Sequence, residues 1–146
     1  MTDAARRLRV ETFRGVVHPW QCDAMGHMNV RHYVGMFDDA GFQLLGMVAG
    51  SSDALFRGGR GWADVRHAFE YRHEARAGAL VTIRSGIGRV GRTSVVMRHE
   101  MSDTLAGTPL ATAEIVTVLF DLAARRALPL PDEYRDRALA LAAGEA

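Results

Sequence analysis

Residues 29–48 read NVRHYVGMFDDAGFQLLGMV, and this stretch decides the fold. Tyr33, Phe37, Ala40, Leu44 and Val48 recur at intervals of three and four, the repeat that lines one face of an α-helix. Val34, Gly41 and Leu45 widen the stripe. A helix over 30–48 is therefore expected, with apolar cover on more than one side. Asn29 is suited to cap its start, because a short side-chain oxygen can accept from the unpaired first-turn N–H groups. Asp38 and Asp39 fall on the outer flank, and Gly46 and Gly50 weaken the far end.

Strands flank this helix. Residues 11–19 carry Thr12, Phe13, Val16 and Val17 and stop at Pro19. Downstream, residues 63–74 alternate cleanly. Val65, His67, Phe69, Tyr71 and His73 share one face, which makes His67 and His73 core or interface histidines. Further strands are expected near 79–90, 93–102 and 110–121, separated by breaks at Ala77-Gly78, Gly91-Arg92 and Gly107-Thr108-Pro109. Connections this short predict sequential antiparallel neighbours or nearly so. The last strand has apolar residues on both faces, so it needs cover on both, some of it from a second subunit. One helix must then cover a curved antiparallel sheet, an α+β arrangement. The glycine-rich stretch 49–61 reads as an irregular connection and lacks the ending of a phosphate loop. Residues 132–142 read as a short helix with Tyr134, Ala138 and Leu139 on one side.

Composition bounds the rest. The chain has 146 residues, 48% hydrophobic and 24% charged, enough for one domain with a real core and too apolar for a disordered chain. A formal net charge of +1 gives no reason to expect a nucleic-acid surface. The single cysteine, Cys22, excludes an internal disulfide framework. Neither a secretory leader nor a membrane span is signalled, so a cytoplasmic protein is expected.

The chemistry concentrates in residues 21–29, QCDAMGHMN. Asp23 places a carboxylate just before a helix N-terminus, whose free N–H groups favour anionic oxygen. Gly26 permits close backbone approach or a positive φ. Carboxylate plus backbone donors suffices for acyl transfer: the carboxylate attacks or activates water and the donors hold the oxyanion. The same residue types also serve as turn and cap residues. His27 reads as a general base, a hydrogen-bond donor or a positioning residue, and Asn29 as a cap. His27 and His32 lack metal-ligand spacing, so neither a metal nor another cofactor is expected. Cys22 is a poor nucleophile beside a carboxylate that raises its thiol pKa. Arg89 and Arg92 flank a turn and suit phosphates, or simply a solvated turn.

The run from Val17 to Tyr33, VHPWQCDAMGHMNVRHY, followed by Phe37 and Ala40 and by FEYRHEARAG at 69–78, resembles the hotdog-fold acyl-CoA thioesterases of the 4-hydroxybenzoyl-CoA thioesterase type. The resemblance spans residues 10–122, leaving 1–9 as an N-terminal tail and 123–146 as a C-terminal one. It implies a long central helix wrapped by a curved five-stranded antiparallel sheet. It also implies a homo-oligomer, dimer or tetramer, with active sites between subunits. The implied substrate is an acyl-CoA or an acyl-carrier-protein thioester. Asp23 matches the family's loop aspartate, nucleophile or general base. Gly26, Asn29 and Tyr33 match the segment that shapes the helix start. An oxyanion donor is expected from the backbone at the helix start or near Gly61-Trp62. Two alternatives accompany this reading. One is a non-catalytic acyl-thioester-binding protein of the same fold. The other is a hotdog enoyl-CoA hydratase or dehydratase, whose aspartate and histidine stand five apart; the four-residue step from Asp23 to His27 favours the thioesterase.

Overall fold

The computed structural model describes Leu8 and residues 10–144, so the expected N-terminal tail, Leu8 apart, lies outside the described residues. Helix α1 runs Val30–Ala49. Asn29, with extended backbone, caps it: its side chain accepts from the Arg31 N–H at 3.1 Å. Gly50 ends it at φ 94° and returns its N–H to the Gly46 carbonyl, a left-handed stop that glycine adopts without Cβ strain. The buried stripe is the one the spacing predicts, with Tyr33, Phe37, Ala40, Leu44, Leu45 and Val48 all nearly inaccessible.

Five strands form an antiparallel sheet around this helix: β1 Val10–Val16, β2 Arg60–Tyr71, β3 Leu80–Val90, β4 Ser94–Asp103 and β5 Pro109–Asp121. A two-residue strand, β6 Arg126–Ala127, adds to the end of β5. This is the hotdog architecture. The spatial order β1-β3-β4-β5-β2 corrects one expectation. The β3, β4 and β5 hairpins are sequential neighbours, but β2 does not pair with β3. It lies at the opposite edge, beside β5, while β1 borders β3. The reason is the helix. β1 and β2 are joined through α1, which lies across the sheet, so the two strands reach opposite edges.

The period-two reading of β2 is also corrected. Register slips between Asp64 and Arg66, and this β-bulge turns Val65 out to 63% exposure. Asp64 takes the inward place, on the side of His67, Phe69 and Tyr71. An extra residue in one strand re-aims its side chains in this way. His73 lies beyond the strand end and is exposed. Helix α1 packs over β1, β3 and β4 and leaves the helix-facing side of β2 largely open.

A second helix, α2 Asp132–Ala140, closes the far end of α1. Arg137 donates to the Val48 and Ala49 carbonyls at 3.0 and 3.2 Å, which satisfies acceptors at a helix C-terminus with a cation. Tyr134 and Ala138 are buried as expected, but Leu139 is 56% exposed. Beyond α2, Ile87 of β3 pairs with the chain at Leu141 and Ala143, so the C-terminal segment extends the sheet past the start of β1.

Among the described residues one histidine is buried on the inward face. His99 on β4 is 2% exposed, and its Nδ1 lies 2.5 Å from Ser85 Oγ, which lies 2.6 Å from Thr12 Oγ1. Burial lowers its pKa from 6.5 to about 4. As pH falls through 6.5 the unfolded chain takes the proton first, so stability is lost from there down to about 4. The loss at this site amounts to about 3 kcal/mol. Urea denaturation across that pH range is expected to show it, and His99→Gln to flatten that part of the curve. Arg137→Ala is expected to cost about 1–2 kcal/mol at neutral pH by the same measurement, because two carbonyls lose their partner.

Candidate active site

The loop before α1 folds on itself. After a single 3-10 turn at Pro19–Gln21, Cys22 and Met28 pair antiparallel. Between them the Asp23 N–H donates to the His27 carbonyl and the Gly26 N–H to the Asp23 carbonyl. Gly26 sits at φ 83°, the left-handed region in which a Cβ is strained.

Asp23 is held at both oxygens. Oδ1 accepts the Met25 N–H at 2.9 Å and Oδ2 accepts from Asn29 Nδ2 at 3.0 Å. The Asn29 amide thus does two things, capping α1 through its oxygen and holding Asp23 through its nitrogen. The Asn29 hydrogen bond, then that of Met25, holds the Asp23 carboxyl below its ordinary value, helped by the fields of His27 and Arg31. It is an ionised carboxylate at neutral pH.

The opposite wall comes from the β2–β3 connection. The His27 imidazole Nε2 lies 2.8 Å from Glu74 Oε2. The Met28 N–H donates to the Ala75 carbonyl at 2.7 Å, and the Ala75 N–H donates to the Tyr33 hydroxyl at 3.1 Å. Burial raises the pKa of Tyr33 and of Tyr71, whose rings meet edge to face at 5.2 Å. Both stay phenols. The result is a cavity of about 420 Å³ lined by Asp23, His27, Asn29 and Tyr33, together with Met25, Met28, Val30, Tyr71, Arg72, His73 and Glu74. The first four are residues expected from sequence; Gly26 shapes the loop without lining the cavity.

Tyr71, Arg72, His73 and Glu74 were not foreseen as part of this site. Their only local signal is a charged run directly after an inward aromatic row. His73, expected in a core or interface, is not in the core: it is exposed in the single chain and lines the cavity. Of the first N–H groups of α1, that of Arg31 is taken by the Asn29 side chain and that of His32 by the Asn29 carbonyl. Val30 N–H has no partner among the described residues and Val30 lines the cavity.

Other expected residues lie elsewhere in the single chain. Gly61 and Trp62 border a separate cavity of about 250 Å³ with Phe56, Phe120 and Leu122. Arg89 and Arg92 are exposed at the β3–β4 turn, whose Gly91 carbonyl accepts from Arg135.

Residues 17–138 match the thioesterase-like superfamily. The chain belongs to that superfamily. Solved structures agree with its fold. A protein from Pseudomonas aeruginosa strain PAO1 superposes with a TM-score of 0.85 at 19% identity, covering 97% of each chain. A Staphylococcus aureus protein solved in complex with CoA gives 0.82 at 15% identity, covering 92% of this chain and 85% of its own. A 1,4-dihydroxy-2-naphthoyl-CoA thioesterase from Synechocystis gives 0.77 at 18%, covering 88% of this chain and 95% of its own. No curated protein sequence matches. Among the described residues of this superfamily member, no helix is long and apolar enough to cross a membrane, and no side-chain group is arranged to hold a metal.

Because Asn29 is the largest cause of the low Asp23 pKa, Asn29→Ala is expected to move the Asp23 carboxyl upward toward 3.8. Side-chain carboxyl NMR across acid pH checks this; an unmoved titration would show that Met25 and the local charges suffice.

Proposed function

We propose that this protein hydrolyses acyl-CoA thioesters, with Asp23 as the reacting carboxylate. The observation that carries the reading is an ionised Asp23, held at both oxygens, at the rim of a cavity that opens at the start of α1. The relatives point to the same chemistry, one solved with CoA and one named for a CoA thioester. A carrier-protein thioester presents the same acyl group and is the related alternative.

In this mechanism the thioester carbonyl enters the cavity. An Asp23 oxygen attacks the carbonyl carbon, or Asp23 takes a proton from a water that does so. The Val30 N–H at the helix start holds the developing oxyanion. The C–S bond breaks, and the CoA thiolate leaves and takes a proton from water. On the direct route, water then cleaves the acyl-aspartyl anhydride. His27, committed to Glu74, positions the loop and is not the primary base.

The working unit in this reading is at least a dimer. One edge of β2 has no partner strand among the described residues and its helix-facing side is open. Gly61, Trp62, Arg89 and Arg92 lie outside the Asp23 cavity of their own chain. In the proposed dimer they act on the partner's site, the arginines toward CoA phosphates.

Thiol release over short, long, branched and aryl acyl-CoAs tests the proposal. Asp23→Asn is expected to lower kcat by at least about 100-fold with the fold retained. His27→Ala should lose less. Near-normal turnover by folded Asp23→Asn would overturn the assignment, and tight binding without hydrolysis would make the protein a binding module. After a single turnover in heavy-oxygen water, label in Asp23 identifies direct attack with cleavage at the aspartyl carbonyl, whereas label in the product acid alone is shared by the water route and by cleavage at the acyl carbonyl.

A further inference from the structure

A second polar cluster lies along β2, away from Asp23. The bulge at Val65 brings Asp64 onto the side of His67, and Asp64 Oδ2 lies 2.9 Å from His67 Nε2. Asp38 of α1 is near enough to feel the pair: burial raises its carboxyl pKa, the Asp64 and Asp39 charges add to this, and His67 opposes it. A row of rings connects this cluster with the Asp23 cavity. Tyr33 meets Tyr71 at the cavity, Phe37 meets Phe69 at 5.8 Å, and Phe69 meets His67 at 5.4 Å. From Tyr71 to His67 is four residues of strand, about 13 Å.

Three buried side-chain polar atoms on the inward face have no partner among the described residues: His99 Nε2, Thr117 Oγ1 and, one row beyond Asp64, Trp62 Nε1. Thr117 is fully buried and sits opposite Asp64 in the β2–β5 register. His99 meets Ser85 on β3 through Nδ1 and lies in the row of Ala113 and Phe69, four residues of strand from the Thr117 row. Proton placement follows from the chain of contacts. Thr12 donates to the Ile83 carbonyl at 3.3 Å, so Ser85 donates to Thr12 and His99 Nδ1–H donates to Ser85. Only that order makes every contact a hydrogen bond, and it leaves Nε2 as a lone pair. Native interiors rarely leave such atoms unpaired. At the Asp64 end the carboxylate only accepts, and the Thr117 hydroxyl has acceptor sites beside its one donor.

We propose that the strip between α1 and β2 holds the acyl group of the substrate, and that Asp64 and His67, with Thr117 below and the charge of Asp38 nearby, bind a proton-donating substituent at its far end. The substituent is a hydroxyl or an amine, carried well away from the thioester carbonyl. The proposal rests on thioester hydrolysis at Asp23, which supplies the other end of the same ligand. An unsubstituted alkyl end leaves the acceptors unpaired, and that discrimination is the strong kind, since a site built for a hydroxyl rejects the analogue without one.

The test compares kcat/KM of the full chain for decanoyl-CoA, ω-hydroxydecanoyl-CoA and ω-aminodecanoyl-CoA. One substituted thioester is expected to be preferred by at least about tenfold. A preference for the amine identifies a cation held by the Asp64 carboxylate; a preference for the hydroxyl identifies a neutral donor held by Asp64 and Thr117. In Asp64→Asn and in the near-isosteric Thr117→Val the ratio should fall toward one. Equal or better use of decanoyl-CoA by the wild type overturns the proposal, as does a preference that survives both substitutions. If no acyl-CoA is hydrolysed, calorimetry with decanoic, ω-hydroxydecanoic and ω-aminodecanoic acids tests the strip alone. A substituent preference lost in Asp64→Asn supports the site without the hydrolase reading, and equal affinities overturn it.

Discussion

The Asn29 side chain joins the fold to the chemistry. Its oxygen accepts the Arg31 N–H and starts α1; its nitrogen donates to Asp23. A primary amide can do both at once, because it carries an acceptor and donors on one rigid plane. Aspartate would cap the helix equally well, but it would set a second negative charge against Asp23. The helix direction, the loop conformation and the protonation state of Asp23 are thus coupled through one group. His27 to Glu74, Met28 to Ala75 and Tyr33 to Ala75 then fasten the β2–β3 connection to the same loop.

The sheet supplies the second constraint. Helix α1 lies over β1, β3 and β4, which leaves the helix-facing side of β2 accessible. The bulge at Val65 changes what that open side presents. Without it an apolar valine would face inward; with it Asp64 does, hydrogen-bonded to His67. A single extra residue therefore replaces an apolar surface with a polar one at the distal end of an aromatic row. Bulges are favoured next to sites because they re-aim side chains without disturbing the strands around them.

Much of this was legible from local pattern. The α1 stripe followed from the three-and-four spacing of Tyr33, Phe37, Ala40, Leu44 and Val48, and the Asn29 cap and the left-handed Gly26 from their residue types. Asp23, His27, Asn29 and Tyr33 were readable as one site because they lie within one short run and at the start of one helix. Tyr71 to Glu74 were not, since their approach to that run depends on where the chain goes after crossing the sheet edge. The Val65 bulge was hidden for a different reason. Strict alternation and a slipped register place the same residues on a strand, and only pairing with β5 distinguishes them.

The amino-acid order by itself determined the long helix, its cap and the main strands, and it singled out Asp23 as the candidate carboxylate, because helix period, strand alternation and capping are interactions between near neighbours. Tertiary structure alone decided the strand order β1-β3-β4-β5-β2, the attachment of Glu74 and Ala75 to the Asp23 loop, and the placement of Asp64 opposite Thr117. Those features join residues far apart in the chain. They are set by which edge a strand reaches and how it pairs there, and a local pattern carries no term for either.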